Sequence, residues 1–386
     1  MQKSFSKHSL KLGIFVSYRD PTDGGGYTIT QDILNTILKR FKKKNLFFII
    51  LNDKKNILKK KILKSGYKCE SLNEFNVLLK IKSFIFSLFP FLLKLYNLLG
   101  FNQYLNTQKK NSVDIVWFLS AEYYYPLFSK YISTVWDLQH LTHSSFPETG
   151  SIFIKMYRER VINKFLKNSY NVISGSSLLI KLMKKNYNIK TKKIIYNQHP
   201  TPEVFLKKKK YKNKINYLKN FFLYPANFWQ HKNHINLFEG FKKFNNKYNN
   251  KYTLVLVGDI KDKKYFDKIK KKFLLNTIKD FKILSFVSLN YLIKLYDNCL
   301  ALIYSSYAGP ENLPPLEAMA RNKPIICSNY PGAKEQLQNI PIYFNPYKPT
   351  SIKKALIKFT FSNHPNKNLV RNTSDYLKKV LNSINI

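Results

Sequence analysis

Four short stretches concentrate residue types suited to holding a phosphorylated ligand. The densest is Gly309-Pro310-Glu311-Asn312-Leu313-Pro314-Pro315-Leu316-Glu317, which follows the apolar run Ala301–Tyr304 and two serines, Ser305 and Ser306. The apolar run predicts a buried strand, the small and turn-forming residues a loop, and the prolines a helix that starts near Pro314 or Pro315, where proline suits the first turn. Backbone N–H groups of such a loop and helix start can cradle a diphosphate, aided by the helix dipole. Glu317, expected in the first helical turn, can accept hydrogen bonds from both hydroxyls of a ribose. Alone it is equally an acidic residue complementing a helix N-terminus.

The second stretch is Tyr224-Pro-Ala-Asn227-Phe-Trp-Gln-His231-Lys232-Asn233-His234. A lysine placed after a strand and before a helix can neutralise a departing phosphate, although a lysine in so lysine-rich a chain can also be a solvated surface charge. The third is Ser133-Thr-Val-Trp136-Asp137-Leu-Gln-His140-Leu-Thr-His143, ending at Phe146-Pro147-Glu148. Four of the seven histidines fall in these two stretches. A zinc site is the competing reading of that clustering, but the spacing is not that of a structural zinc, and no carboxylate–histidine motif accompanies it. No metal is therefore expected. The fourth is Asp20-Pro21-Thr22-Asp23-Gly24-Gly25-Gly26, where glycines permit close backbone approach to a ligand or simply make a tight turn.

The run Phe286–Pro346 resembles the C-terminal, donor-binding half of the group 1 glycosyltransferases of GT-B fold. Its order is valine-serine, helix, strand, serine-containing loop, L-P-P-L-E-A-M-A, K-P-I-I-C-S and Y-F-N-P. Tyr224–His234 is similar to the family's Y-P-x-x-F-W-x-H-K-N-H form, and Ser133–His140 to its T-V-x-D-L-x-H element.

The resemblance implies two Rossmann-like domains facing an inter-domain cleft. It implies a nucleoside-diphosphate sugar as donor, a glycan or lipid-linked acceptor, transfer with retention of anomeric configuration, and no metal cofactor. By the same resemblance Glu317 meets the nucleotide ribose, Lys232 the leaving diphosphate, and Gly309, Pro310, Asn312, Leu313 and Pro314 the phosphates and sugar. Asn227, five residues before Lys232, stands where many relatives carry arginine, and it and His231 are candidate donor-binding residues of this motif. Trp136 stands where many carry a donor-touching histidine, leaving His140, with Asp137, as the candidate side chains of the cleft. Gly309 takes the place of the usual first glutamate, so Glu311 is the candidate substitute, or else a solvated loop charge. The loop Gly24–Gly26 would face donor or acceptor across the cleft.

The elements that must position these residues are legible as alternating strands and helices, the pattern of parallel sheets covered on both faces. Strands are expected at Leu12–Ser17, Leu46–Leu51, Ile115–Leu119, Ser133–Trp136, Asn171–Ile173, Phe222–Tyr224, Leu254–Val257, Ala301–Tyr304 and Pro324–Cys327. Helical patterns lie between them, as at Thr28–Phe41 and Leu289–Asn298. The division expected is an N-terminal acceptor-side domain over 1–206, a basic linker over 207–220, a nucleotide-sugar domain over 221–365 and a helical tail over 366–386.

The chain of 386 residues carries 66 Lys+Arg against 22 Asp+Glu, a formal charge of +44. Such charge attracts polyanions. Arginine, the usual reader of nucleic acid, is scarce, so an anionic membrane surface is favoured and nucleic acid disfavoured. The mixture of Lys, Asn, Ile, Phe and Tyr also arises in AT-rich genomes. Cys69, Cys299 and Cys327 form no C-x-x-C pair, consistent with free thiols in a reducing cytosol. A cytoplasmic protein, peripheral at the inner face of the plasma membrane, is the expectation.

The most apolar window, Ser83–Phe101, is interrupted by Pro90 and Lys94. It reads as a core helix broken near Pro90 or as an interfacial contact with a membrane. Two other functions fit parts of the pattern: a sugar-nucleotide epimerase of similar fold, and a basic polyanion-binding protein on a degenerate version of it.

Overall fold

The computed structural model describes residues 10–41, 45–125, 127–207, 218, 220–274, 280–362 and 369–384. The expected basic linker falls almost wholly outside that set, at 208–217 and 219.

Strands β1 (Leu12–Ser17), β2 (Leu46–Leu51), β3 (Lys68–Leu72), β4 (Ile115–Phe118), β5 (Tyr131–Val135), β6 (Asn171–Ser174) and β7 (Ile194–Tyr196) form one sheet. Its order is β3-β2-β1-β4-β5-β6-β7, with all pairs parallel. Strands β8 (Phe221–Pro225), β9 (Thr253–Val257), β10 (Phe281–Leu284), β11 (Ala301–Tyr304), β12 (Ile325–Ser328) and β13 (Ile342–Phe344) form the second. Here the order is β10-β9-β8-β11-β12-β13, again parallel. The central strands are apolar on both faces because helices cover both: every residue of β2 (LFFIIL) is buried.

Strand order reverses between β1 and β4 in the first sheet and between β8 and β11 in the second. Ligands of such sheets sit beyond the carboxyl ends of the strands at those points. The glycine loop follows β1, the Trp136–His140 segment follows β5, the Lys232 segment follows β8, and the Gly309–Glu317 segment follows β11. All four stretches therefore meet at one cleft.

The chain closes on itself. Helix Thr373–Asn382 returns from the second sheet's side to pack on helix Gly25–Arg40 of the first. The joint is polar at its centre: Asp32 accepts from the Thr373 hydroxyl (2.5 Å) and from the Glu203 N–H (2.7 Å).

The apolar window becomes two helices, Asn76–Leu88 and Pro90–Leu98, bent by 116°. Pro90 takes the first position of the second helix, where its missing N–H costs nothing. The expectation of a core helix fails for this pair. Only Leu79, Ser83, Phe86 and Ser87 of the first helix are buried, and no residue of the second.

Candidate active site

A cleft of about 1810 Å³ separates the two sheets. Lys232 lies on its floor, in a short 3-10 turn after β8. Its ammonium donates to the Tyr304 hydroxyl (3.0 Å) and to Asn312 Oδ1 (3.4 Å), and Tyr304 in turn donates to the same Asn312 oxygen at 2.7 Å. Among the described residues no carboxylate pairs with Lys232 within ion-pair distance. Burial pushes its pKa down to about 8, with the charges of Asp137 and Glu148 across the cleft opposing that shift. Lys232 is thus a desolvated cation held by neutral acceptors, not a solvated surface charge.

The helix after β11 runs Leu313–Ala320, with Asn312 at its N-cap. It begins one residue earlier than the prolines alone suggested, which moves Glu317 from the first turn into the second. Glu317 is buried; one carboxylate oxygen accepts from the Tyr296 hydroxyl at 2.7 Å, and burial pushes its pKa up to about 7 despite that bond.

The cradle expected of residues 309–314 is sparser than a count of residues implies. Pro310 and Pro314 have no N–H to donate. The Asn312 N–H is already given to Gln336 Oε1 at 2.9 Å, and Gln336 returns a bond to the Asn312 carbonyl at 2.7 Å. Gly309, Glu311 and Leu313 keep an N–H to offer. Gly309 has φ +110, and a Cβ there would strike the Asn312 amide at 2.7 Å, so a carboxylate-bearing residue does not fit this loop as built.

Glu311 is turned away from the Lys232 group. Its carboxylate crosses to the N-terminal domain, where it accepts the His199 N–H (2.9 Å) and packs on Gly175. Burial pushes its pKa up to about 8, against the His199 N–H and the charge of Arg371. This corrects the expectation that Glu311 replaces the missing sugar-facing glutamate: in this arrangement it is an inter-domain contact.

Asp137 is exposed on the cleft wall and accepts from the Gln139 N–H at 3.2 Å. His140 also borders the cleft, but its ring is buried, with Nε2 3.1 Å from the Tyr187 hydroxyl and 3.3 Å from Glu159. Asn227 fastens its own loop, accepting the Asp259 N–H at 2.9 Å and reaching the Thr22 carbonyl at 3.4 Å. The glycine loop stands opposite: a Cβ on Gly25 would lie 3.5 Å from Leu313, and one on Gly26 3.4 Å from Trp136.

The motif histidines do not converge. His231 bonds across the cleft to Glu148. His234 is stacked on Phe228 (4.4 Å), with burial pushing its pKa down to about 3. Among the described residues, no group of three or more His, Cys, Asp or Glu is placed to hold a metal ion.

Glu148 and Trp136 line the cleft and Arg19 lies against Trp136, and none was given a role from the sequence. Glu148 accepts both the backbone N–H and Nδ1 of His231, at 2.8 and 2.5 Å, and its other oxygen is buried without a partner. Trp136 Nε1 and Arg19 Nε are likewise buried and unpartnered. Arg19 pairs with Glu122 at 3.3 Å and lies over the Trp136 ring. Buried polar groups left unpaired are uncommon and point to a missing ligand or water. Their sequence signal was position: Arg19 and Trp136 stand just past β1 and β5, and Glu148 ends the stretch that follows β5.

Two facing Rossmann-like domains with a cleft between them define the GT-B architecture. Among solved structures the chain is similar to Anabaena HepE in complex with UDP, with TM-score 0.67 and 12% identity over 97% of this chain and 100% of that one. It is also similar to a glycosyltransferase from Rickettsia africae, with TM-score 0.61 and 16% identity over 97% and 94%. Residues 206–376 match the family model of glycosyl transferases group 1. It is 30% identical over 234 residues to the O-antigen chain mannosyltransferase RfbU of Salmonella typhimurium, covering 60% of this chain. The match spans about three fifths (61%) of that relative's length.

Proposed function

We propose that this chain transfers a sugar from a nucleoside-diphosphate sugar to a glycan or lipid-linked acceptor in the synthesis of a surface polysaccharide or glycoconjugate. The observation that carries the proposal is Lys232: a half-buried ammonium with no ion-paired carboxylate among the described residues, bonded to Asn312 in the same loop as Gly309, Glu311 and Leu313. A diphosphate supplies the negative charge that this pocket lacks. Glu317, with only Tyr296 bound to its carboxylate, suits the two hydroxyls of a ribose at the far end of the same helix start. The group 1 family, the mannosyltransferase name of RfbU and the UDP and UDP-glucose bound to HepE support this reading.

In the proposed reaction the bond between the anomeric carbon and the leaving phosphate oxygen breaks as the acceptor oxygen bonds to that carbon on the same face. Negative charge grows on the diphosphate, and Lys232 faces it, so no metal ion is assigned that task. The acceptor's proton passes to the departing phosphate oxygen. Trp136 and Glu148 line the cleft on the side of the N-terminal domain, where the sugar would lie. Free thiols at Cys69, Cys299 and Cys327 and the strong positive charge support a cytoplasmic site of action at the inner face of the plasma membrane.

The test is incubation of the chain with a panel of UDP- and GDP-sugars, with chromatography of the products. Release of nucleoside diphosphate from one donor, increased by a glycan or lipid-linked acceptor, is expected. Epimerised donor without transfer, or no turnover of any donor, would overturn the proposal.

A further inference from the structure

The proposed chemistry leaves one large surface unexplained, on the N-terminal domain beside the cleft. Val77, Ile81, Ile85 and Leu88 recur at helical spacing along Asn76–Leu88 and are all exposed. Phe91, Leu95 and Leu98 do the same along Pro90–Leu98, with Leu98 84% exposed, and Leu99 at its C-cap is exposed too. Phe75 (77%) and Phe101 (63%) flank the pair. Helix Ile152–Asn168 packs against the first of these helices and adds Ile152, Phe153 (78%) and Met156. A helix facing water turns its polar side outward; these turn an apolar stripe outward.

We propose that this bent pair, with the start of helix Ile152–Asn168, docks on the surface of an anionic lipid bilayer and holds the cleft mouth at the lipid. Charge complementarity selects that occupant. Residues 75–101 contain Lys80, Lys82 and Lys94 and no acidic residue, although Lys82 is paired with Glu74 just before them, and residues 152–160 contain Lys155, Arg158 and Arg160 against Glu159 alone. Apolar side chains ringed by basic ones suit insertion among anionic headgroups. A second copy of the chain is a poor occupant, because a two-fold contact would set these basic rims against each other. Among the described residues no single helix is long and apolar enough to cross a bilayer, and the pair is bent by 116° between its two helices.

The same helices reach the active site. Val77, Ile81 and Phe84 of one, and Phe153, Ile154 and Tyr157 of the other, line the cavity that holds Lys232 and Glu317. An acceptor carried on a lipid can therefore enter the cleft along an apolar wall without leaving the membrane surface. That entry route rests on the proposed glycosyl transfer; the docking surface does not.

The test is co-sedimentation of the full chain with vesicles of phosphatidylcholine alone or mixed with phosphatidylglycerol, at low and raised salt. The wild type is expected to bind the mixed vesicles and to be released by salt. The double variant Phe91→Glu/Leu98→Glu, both at exposed positions, is expected to bind at least about tenfold more weakly, since two large apolar side chains are withdrawn from burial. Thermal shift by nucleoside diphosphates on the same two proteins is expected to be identical, which checks folding and the donor site. Absence of that shift in both proteins would sink the functional reading and leave the docking result standing. Equal vesicle binding by variant and wild type, or salt-insensitive binding to neutral vesicles, would overturn the surface assignment. So would a wild-type dimer that the variant disrupts without any vesicle binding.

Discussion

His231 and Glu148 are joined twice across the cleft, by the His231 backbone N–H and by its Nδ1, so one carboxylate of the N-terminal domain grips one residue of the other. Because His231 precedes Lys232, this grip sets where the ammonium stands relative to the N-terminal wall. Burial alone would raise the Glu148 pKa, but the two bonds from His231 hold it below its usual 4.5. A carboxylate with a depressed folded pKa stabilises above the unfolded value and loses that contribution as pH falls through the folded one. The inter-domain contact should therefore persist across neutral pH and fail only below about pH 4.5. Glu148→Gln should lower kcat/KM by roughly 10- to 100-fold, the worth of a charge-assisted hydrogen bond. Steady-state kinetics checks this.

Lys232→Met separates stability from function. Removing a desolvated charge that has no carboxylate partner among the described residues relieves a cost of folding, so the melting temperature should stay level or rise. Turnover should fall by about 10²-fold or more, as for loss of one transition-state donor. A melting scan beside a donor-turnover assay reads both.

Donor binding should have a bell-shaped pH dependence. Glu317, its pKa raised to about 7, must ionise to accept from ribose, so affinity grows as pH rises toward that value. Lys232, lowered to about 8, must stay charged to meet phosphate, so affinity falls above it. The unliganded protein behaves oppositely on the acid side. A raised carboxylate pKa makes a stability contribution that is complete below the unfolded value of 4.5 and lost as pH climbs through about 7. Glu317→Gln should flatten the acid limb of a nucleotide titration and leave the basic limb in place.

Trp136→Phe deletes an indole N–H that has no partner in the free protein. Its cost should appear in catalysis rather than folding: a melting temperature close to wild type, with kcat/KM reduced about tenfold, the worth of one hydrogen bond. Kinetics with the preferred donor and acceptor would detect it.

Glu311→Gln keeps an acceptor for the His199 N–H and should leave the donor KM within about twofold, because the hydrogen bond survives the change. A large rise in the donor KM would return Glu311 to the sugar.

The strands at the centres of both sheets were legible to within two residues, because they are apolar on both faces and read as continuous runs. The four strands that were not anticipated are β3, β7, β10 and β13, and each is a sheet edge. An edge strand is covered less completely, and its sequence is correspondingly mixed, as in KCESL and FKIL. The placement of Lys232 and Glu317 at one cleft was legible, because each follows a strand of the second sheet at its carboxyl end. The site was not legible where function depends on which way a side chain turns. Glu311 looked like a sugar ligand by position and proves to face His199. Glu148 looked like the end of a motif and closes the cleft. The apolar window was ambiguous for the same reason: helical spacing reveals a stripe and leaves open whether protein or lipid covers it.

Calorimetric titration of UDP and GDP into the wild type, Lys232→Ala and Glu317→Gln tests the central claim most directly. One nucleoside diphosphate should bind the wild type and bind each variant at least about tenfold more weakly, one lost charged hydrogen bond in each. Failure of both nucleotides to bind, or equal affinity in all three proteins, would contradict a donor site between Lys232 and Glu317.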